Sequence, residues 1–339
     1  MEGMTKRNEG IDLLKALCMI AVVGLHSQRS TATGMVNNEI LYYLSRFAMP
    51  CFFMVNGYLI LCKKSFSVEY YKKKMLNMLR VLLSGGGGLA FVYTLVFLGE
   101  GIHRAVYNAL KCILGYYVIP FWWIYTFAII YTVLLFAFDF IKAHIKEIVL
   151  TLVGICLCVD LISLFLIFIH DGYFVQAQVS QSFRLWTWLM YFCMGYFLGT
   201  KATFAHQKRS WLVGMLIAVS ISVVIVQVLV CEKYLGRINS EYLYDNVLII
   251  VWSALIFMIL FHWNGERPKW LKSFCNNCFG VFMLHEFFLE GLHLPERVNG
   301  PVQSTILLLG LVFVCWVLTS LLKKLLNRMP YPISKLLDY

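Results

Sequence analysis

Three ionisable residues lie on the first long apolar segment of the chain. Asp12 and Lys15 stand near its start, and His26 stands at its end. If the segment is a helix, His26 lies about three turns beyond Lys15 and about four beyond Asp12, so all three can share one face. Ionisable side chains are costly at membrane depth and usually serve a function there. Because imidazole exchanges protons near neutral pH, we predict that His26 is a general base. A histidine that only hydrogen-bonds between packed helices is the structural alternative.

Arg46 is a second candidate, in the next apolar segment. Its guanidinium is permanently charged and must therefore face a polar cavity or a partner. It could stabilise a tetrahedral oxyanion or hold an acidic group. Pairing with Asp160 or Glu286 is the structural alternative.

Polar residues also cluster in a late apolar segment. His285 and Glu286 fall near its middle, and their spacing predicts that Glu286, Glu290 and His293 share one helical face. This pattern indicates the wall of a water-filled vestibule for a polar acceptor, in which Glu286 orients an imidazole. A polar stripe that faces other helices is the alternative. Asp160, alone in its own segment, is a candidate for the same cavity.

Composition predicts the elements that carry these residues. Hydrophobic residues make up 60% of the chain and charged residues 14%, with a mean hydropathy of +0.73, which is outside the range of soluble globular domains. Apolar stretches of about 18 to 24 residues can cross a hydrocarbon core. We predict an all-α, polytopic integral membrane bundle with about ten transmembrane helices, forming a single domain over 1–339 without a soluble domain. The predicted spans are 11–28, 39–62, 76–98, 120–141, 147–169, 185–200, 211–231, 245–263, 275–293 and 302–322.

Lysine and arginine indicate the orientation of the bundle. With a cytoplasmic N-terminus, most of them fall on the inner side, and the outer side keeps only Arg29, Arg104, Lys111, Arg184, Lys233, Arg237 and Arg297. The bias predicts that both termini are cytoplasmic in a multi-pass protein of the plasma membrane. Basic inner loops that face anionic lipid then explain the net charge of +11 without a nucleic acid partner.

One of the inner loops is especially basic. It runs from Lys63 to Arg80, contains six basic residues, among them Lys72, Lys73 and Lys74, and lies where an anionic cytosolic cofactor would arrive. A determinant of topology is the alternative for any one of these residues.

Cys275 and Cys278 have the spacing of a metal or redox pair, but no second pair or histidine lies nearby, so we expect no metal. The run Gly85 to Gly88 would let helices approach closely or would break the third span. Four tryptophans are predicted to form an interfacial belt: Trp122, Trp123, Trp186 and Trp188.

Several segments, taken in order, resemble a known family. The segments are Arg7 to His26; Ser45 to Tyr58, in which an arginine precedes a proline, paired phenylalanines and a Gly-Tyr; Trp123 with Tyr131; Tyr191 to Tyr196; and Phe279 to His285. Together they resemble the membrane acyltransferase 3 family, multispanning O-acyltransferases that modify surface glycans. The likeness covers almost the whole chain.

The resemblance implies a membrane O-acyltransferase, and more narrowly an O-acetyltransferase. Such an enzyme takes an acyl group from cytosolic acyl-CoA, here acetyl-CoA, and places it on a hydroxyl of a cell-surface or lipid-linked glycan. Two positions depart from the family, which usually has arginine at Lys15 and serine at Asn56. Lysine keeps the positive charge but loses bidentate recognition, which bears on a role for Lys15 in holding cofactor phosphates.

Two other classes remain as alternatives. A transporter or flippase would also use buried charges near the midplane, but it should show two related halves, and no internal symmetry is evident. A membrane module that only binds or imports a small substrate for a partner enzyme is the third hypothesis. For the acyltransferase, the predicted residues fall into three groups: catalytic His26, Arg46 and Glu286; cofactor-binding Lys15, Asp12, Lys72, Lys73, Lys74 and Arg80; and acceptor-binding His285, Glu290, His293 and Asp160. Membrane lipids are the other expected partners, and the oligomeric state is left open.

Overall fold

The regular elements of the described chain are helices. The computed structural model describes residues 8–28, 36–114, 121–169, 174–200, 209–229, 243–263, 265 and 268–326. The helices are α1 Glu9–Ser27, α2 Glu39–Leu44, α3 Ala48–Leu61, α4 Val68–Arg80, a π-helix Val81–Gly88, α5 Leu89–Val96, α6 Ile102–Ile113, α7 Trp122–Ala143, α8 Ile145–Ile169, α9 Val175–Gln178, α10 Leu185–Thr200, α11 Arg209–Val228, α12 Val247–Phe261, α13 Lys269–Gly291 and α14 Gly300–Leu326. Short 3₁₀ turns lie at Gln181–Phe183 and Pro295–Arg297.

The predicted polytopic helical bundle is confirmed. Within the described ranges, seven helical runs are long and apolar enough to cross a membrane: Glu9–Ser27, Glu39–Leu61, Val68–Val96, Trp122–Ala143, Ile145–Ile167, Ser210–Val228 and Gly300–Leu326. The other three predicted spans correspond to α10, α12 and α13. Helices α10 and α12 have only 16 and 15 residues, and α13 carries more polar residues. Both termini lie outside the described residues.

The surface of the bundle is apolar in the way that a lipid environment requires. Phe136, Phe165 and Ile306 are each more than 60% exposed, and similar side chains line the outer faces of α8, α11 and α14. Soluble monomeric proteins rarely expose so many large apolar side chains to water. The chain is therefore a multi-pass membrane protein whose outer helices contact lipid.

Helix α1 lies inside the bundle, because it packs against α3, α12, α13 and α14. Beside it, α3 and α10 approach each other closely through two glycines. A Cβ atom at Gly57 would overlap the backbone of Phe192, and one at Gly195 would overlap the backbone of Met54. Small residues allow helix backbones in membranes to meet in this way. Helix α3, which also packs against α1, is thereby held close to α10.

The tryptophans form part of this core. Trp188 is fully buried and stacks on Phe53 with 4.7 Å between the ring centroids. Trp122 lies 4.8 Å from Trp188, and the indole of Trp186 donates to Asp245. The predicted interfacial belt is therefore wrong for Trp188, because tertiary packing encloses its ring among other aromatic rings.

The glycine run changes the helix type in the third span. Residues Val81–Gly88 form a π-helix between α4 and α5. A Cβ atom at Gly85 would overlap the side chain of Met283 on α13, and one at Gly86 would crowd Phe121. The glycines therefore allow α13 and the start of α7 to pack directly against the π-helical backbone, as their composition predicted.

Candidate active site

Two histidines and a glutamate meet where the end of α1 packs against α13. His26 Nδ1 lies 2.5 Å from Glu286 Oε1, and His285 Nε2 lies 3.8 Å from the same oxygen. The two imidazole rings are arranged edge to face, with centroids 5.4 Å apart. Glu286 and His285 are buried, whereas about a third of the His26 side chain is exposed. The cluster thus joins buried polar groups to one accessible imidazole.

Hydrogen bonds indicate the protonation of both rings. His26 Nδ1–H donates to the Glu286 carboxylate. In the neutral imidazole the other nitrogen, Nε2, then carries the lone pair that can accept a proton. His285 Nδ1 lies 3.2 Å from the carbonyl oxygen of Val281, which can only accept. In the neutral ring His285 Nε2 therefore also carries a lone pair, and within the described part of the chain this atom has no hydrogen-bond partner. His285 Nε2 is thus a buried acceptor beside the His26 imidazole, and a hydroxyl donor would satisfy it.

The same three side chains could hold a metal ion. Their ligand atoms lie within 4.8 Å of one another, and two imidazoles with a carboxylate form a ligand set of catalytic zinc. The pair Cys275 and Cys278 lies elsewhere on α13. Cys275 Sγ donates to the backbone oxygen of Asp12 at 3.1 Å, and both thiols line the cavity described next.

A cavity of about 380 Å³ lies along α1 and stops one helical turn before His26. Lys15, Cys18, Met19 and Val22 line it from α1 at the spacing of one helix face. Of the three described residues predicted to share a face on α1, Lys15 is in this lining, and Asp12 and His26 are not. The other lining residues belong to α3, α4, the π-helix, α7 and α13: Met49, Phe52, Asn56, Lys74, Asn77, Met78, Val81, Trp123, Ile124, Phe127, Tyr131, Cys275, Cys278, Phe279 and Phe282. One end is therefore basic and polar, and the rest is aromatic and aliphatic.

The basic end is assembled from α1 and α4. Lys74 is close enough to Lys15, Lys63 and Lys73 for charge repulsion, so an anion at this end would be favoured. Lys72, Lys73 and Arg80 are exposed on α4, and Asp12 is buried. Of the predicted cofactor-binding residues, Lys15 and Lys74 line the cavity.

Arg46 is buried in the turn between α2 and α3. Its guanidinium donates to the hydroxyls of Tyr42 and Tyr244 and lies over both rings, with the guanidinium carbon 4.6 and 5.7 Å from the centroids. Such cation–π contacts stabilise a desolvated charge. The carboxylates considered as its partners make other contacts, since Glu286 accepts from His26 and Asp160 accepts from Asn246 at 3.1 Å.

Asp160 belongs to a separate polar cluster. Its neighbours are Asn246 and Asp245, and Asp245 in turn accepts from Trp186 and Thr187. Buried carboxylates require such donors, which the ends of α10 and α12 provide. Among the described residues, those that line the cavity do not include Asp160.

The predicted stripe on α13 ends one turn earlier than expected. Helix α13 stops at Gly291, and His293 lies beyond it with a φ of 48°. The amide of Leu294 donates to the oxygen of Leu289, and that of His293 to Glu290, as in a Schellman cap. The prediction that His293 shares the helical face of Glu286 is therefore wrong, because the cap turns the chain away. Glu290 remains on that face.

The wall provided by α7 was not predicted. Trp123, Phe127 and Tyr131 recur every four residues and line the cavity together. This spacing places side chains on one helix face and could have indicated a shared surface. It could not indicate which helix that surface would meet.

Comparison with known proteins gives a match to a family model. The model is that of acyltransferase 3, described as an acyltransferase domain, and it matches residues 8–320, from the start of α1 into α14. No curated protein and no solved structure matches the chain.

Proposed function

The chain belongs to the acyltransferase 3 family of acyltransferases, and on this premise we propose that it moves an acetyl group from cytosolic acetyl-CoA to a hydroxyl of a surface or lipid-linked glycan. One observation carries the proposal. A cavity with a lysine-lined end runs along α1 toward His26, whose Nδ1 is held by a buried carboxylate. The alternative classes, a transporter or a binding module, do not require such an oriented base.

The proposed chemistry is a direct acyl transfer at His26. Nε2 of His26 takes the proton of the acceptor hydroxyl as its oxygen attacks the thioester carbonyl carbon. The tetrahedral intermediate then expels the CoA thiolate, and the proton passes from His26 to that sulfur. Glu286 keeps the Nδ1–H oriented and stabilises the imidazolium between the two steps.

The neighbouring groups are proposed to position the acceptor. Nε2 of His285 is buried beside Glu286 and can accept a hydrogen bond from a glycan hydroxyl. Glu290 continues this polar face by one turn of α13. Arg46, held between Tyr42 and Tyr244, is proposed to stabilise the oxyanion or an acidic group of the acceptor.

The basic end is proposed to face the cytoplasm and to bind the phosphates of the donor. Lys15 and Lys74 line it, and the distribution of basic residues supports cytoplasmic termini. From Lys15 to His26 the helix rises about 16 Å, so a narrow donor arm must reach this depth. The orientation, the plasma membrane location and a single integral membrane acyltransferase domain over 1–339 are parts of this proposal.

Lys15 offers a direct test of donor binding. We expect Lys15→Ala to weaken acetyl-CoA binding about tenfold or more, because hydrogen bonds to charged groups contribute roughly 1.5–3 kcal/mol. Lys15→Arg should preserve or improve the affinity, since it restores the charge and adds a bidentate donor. Isothermal titration of the purified variants measures both. Lys272→Ala is the matched control, because Lys272 is exposed on α13. Equal affinity in Lys15→Ala and the parent protein would reduce Lys15 to an anchor at the membrane border.

The reaction itself can be tested in inside-out membrane vesicles that enclose surface glycan. Acetyl-CoA labelled in the acetyl group and added outside should produce alkali-labile label on the enclosed glycan, identified as an ester by mass spectrometry. Vesicles that contain His26→Ala are the control. Labelling only when donor and glycan share one side would contradict transfer across the membrane. Entry of label without esterification would indicate transport instead.

A further inference from the structure

The cavity ends one helical turn before the catalytic cluster. On α1 its innermost lining residue is Val22, four positions before His26, and on α13 it is Phe282, three positions before His285. The Phe282 ring also packs against the His285 ring, with 5.6 Å between centroids. Phe282 therefore belongs both to the cavity wall and to the surroundings of the catalytic residues.

Neighbouring aromatic rings hold Phe282 in this place. The rings of Trp123 and Phe121 both pack edge to face against it. Their centroids lie 5.7 Å and 6.2 Å from the centroid of the Phe282 ring. Phe121 is fully buried, and it packs against the backbone of Gly86 in the π-helix. The next residue of α13, Met283, packs in the same way against Gly85. Because the π-helix presents backbone rather than side chains, the wall behind Phe282 has little room to yield.

We propose that Phe282 selects short acyl groups by limiting the space at the inner end of the cavity. This inference rests on the proposed function, in which the thioester must come within reach of His26. When the phosphates of the donor lie at the lysine-lined end, the acyl group is the innermost part of the donor and lies at the level of Phe282. An acetyl group adds a single methyl there, whereas each further methylene must displace a ring that is packed on two sides. Closely packed apolar sites discriminate about tenfold or more per misfitting methylene.

Inert thioethers of CoA can separate this selection from catalysis. The full-length protein in lipid nanodiscs should bind S-ethyl-CoA at least about tenfold more tightly than S-hexyl-CoA. In Phe282→Ala the preference should largely disappear through tighter binding of S-hexyl-CoA, and Phe282→Leu should be intermediate. The leucine variant retains most of the apolar contact, so it tests the proposal even if the alanine variant folds poorly.

Phe287→Ala is the matched control. Phe287 is a partly buried phenylalanine on the same helix, it packs against Phe97 and Tyr93, and it lies outside the cavity lining. It should keep the parent preference. An unchanged preference in both Phe282 variants, or an equal loss in Phe287→Ala, would overturn the proposal. A Phe282-dependent preference without acetyl transfer by the parent protein would refute the proposed reaction alone, and failure of the parent protein to bind either thioether would refute both.

Discussion

His26→Ala should lower the rate of acetyl transfer by about 10²- to 10⁴-fold, the usual contribution of a general base. The change removes the imidazole whose Nδ1–H is held by the Glu286 carboxylate and whose Nε2 is proposed to take the acceptor proton. Insertion should be unaffected, because alanine is accepted in a membrane helix. Transfer by the purified variant, measured at saturating donor, gives the size of the loss.

Donor affinity and a second histidine provide the controls for His26. The cavity lining stops at Val22, so binding of acetyl-CoA should change little in His26→Ala. His103→Ala, at an exposed position on α6, should transfer at the parent rate. Transfer by His26→Ala at near the parent rate would remove His26 from the mechanism.

Glu286→Gln should produce a loss of similar size, about 10²- to 10⁴-fold in kcat. Glutamine has nearly the same shape and can still accept from Nδ1–H, but it is neutral and cannot stabilise the imidazolium. The loss should therefore appear in kcat, while acetyl-CoA affinity stays near that of the parent protein. A purely structural role would instead lower thermal stability or donor binding in parallel.

Glu290→Gln is the matched variant for this experiment. Glu290 lies one turn further along the same face of α13 and is partly exposed. Its substitution should raise the KM for the acceptor, which it is proposed to position, but should leave kcat within a few-fold of the parent value, because it is one turn removed from the His26 imidazole. Equal losses in both variants would indicate a general effect of charge on α13 and would contradict the specific role of Glu286.

Much of the architecture followed from properties that are local in the sequence. Apolar runs long enough to cross a membrane predict helices, and the structure contains helices at each predicted position. The face shared by Lys15 and His26 follows from helical periodicity alone. In the structure Lys15 lines the cavity with Cys18, Met19 and Val22, whereas Asp12 and His26, both described, are not among its lining residues. The family could also be inferred from ordered motifs, and the family match over 8–320 confirms it.

Other features depended on which helices meet. The sequence suggested that Glu286 orients an imidazole, but His26 and Glu286 are far apart in the chain. Only the packing of α1 on α13 brings His26 Nδ1 to 2.5 Å from Glu286 Oε1. The burial of Trp188 and the enclosure of Arg46 by two tyrosines arise in the same way. The end of the α13 stripe at Glu290 depends on a cap that no periodicity reveals.

The sequence by itself therefore determined the membrane class, the helices and the residues on each helical face. It could do so because hydrophobic length and a period of 3.6 residues are properties of single segments. The tertiary structure alone decided which faces oppose one another, where the cavity ends and which carboxylate holds which imidazole. Those contacts depend on close packing among helices distant in the chain, including the glycines that let backbones approach.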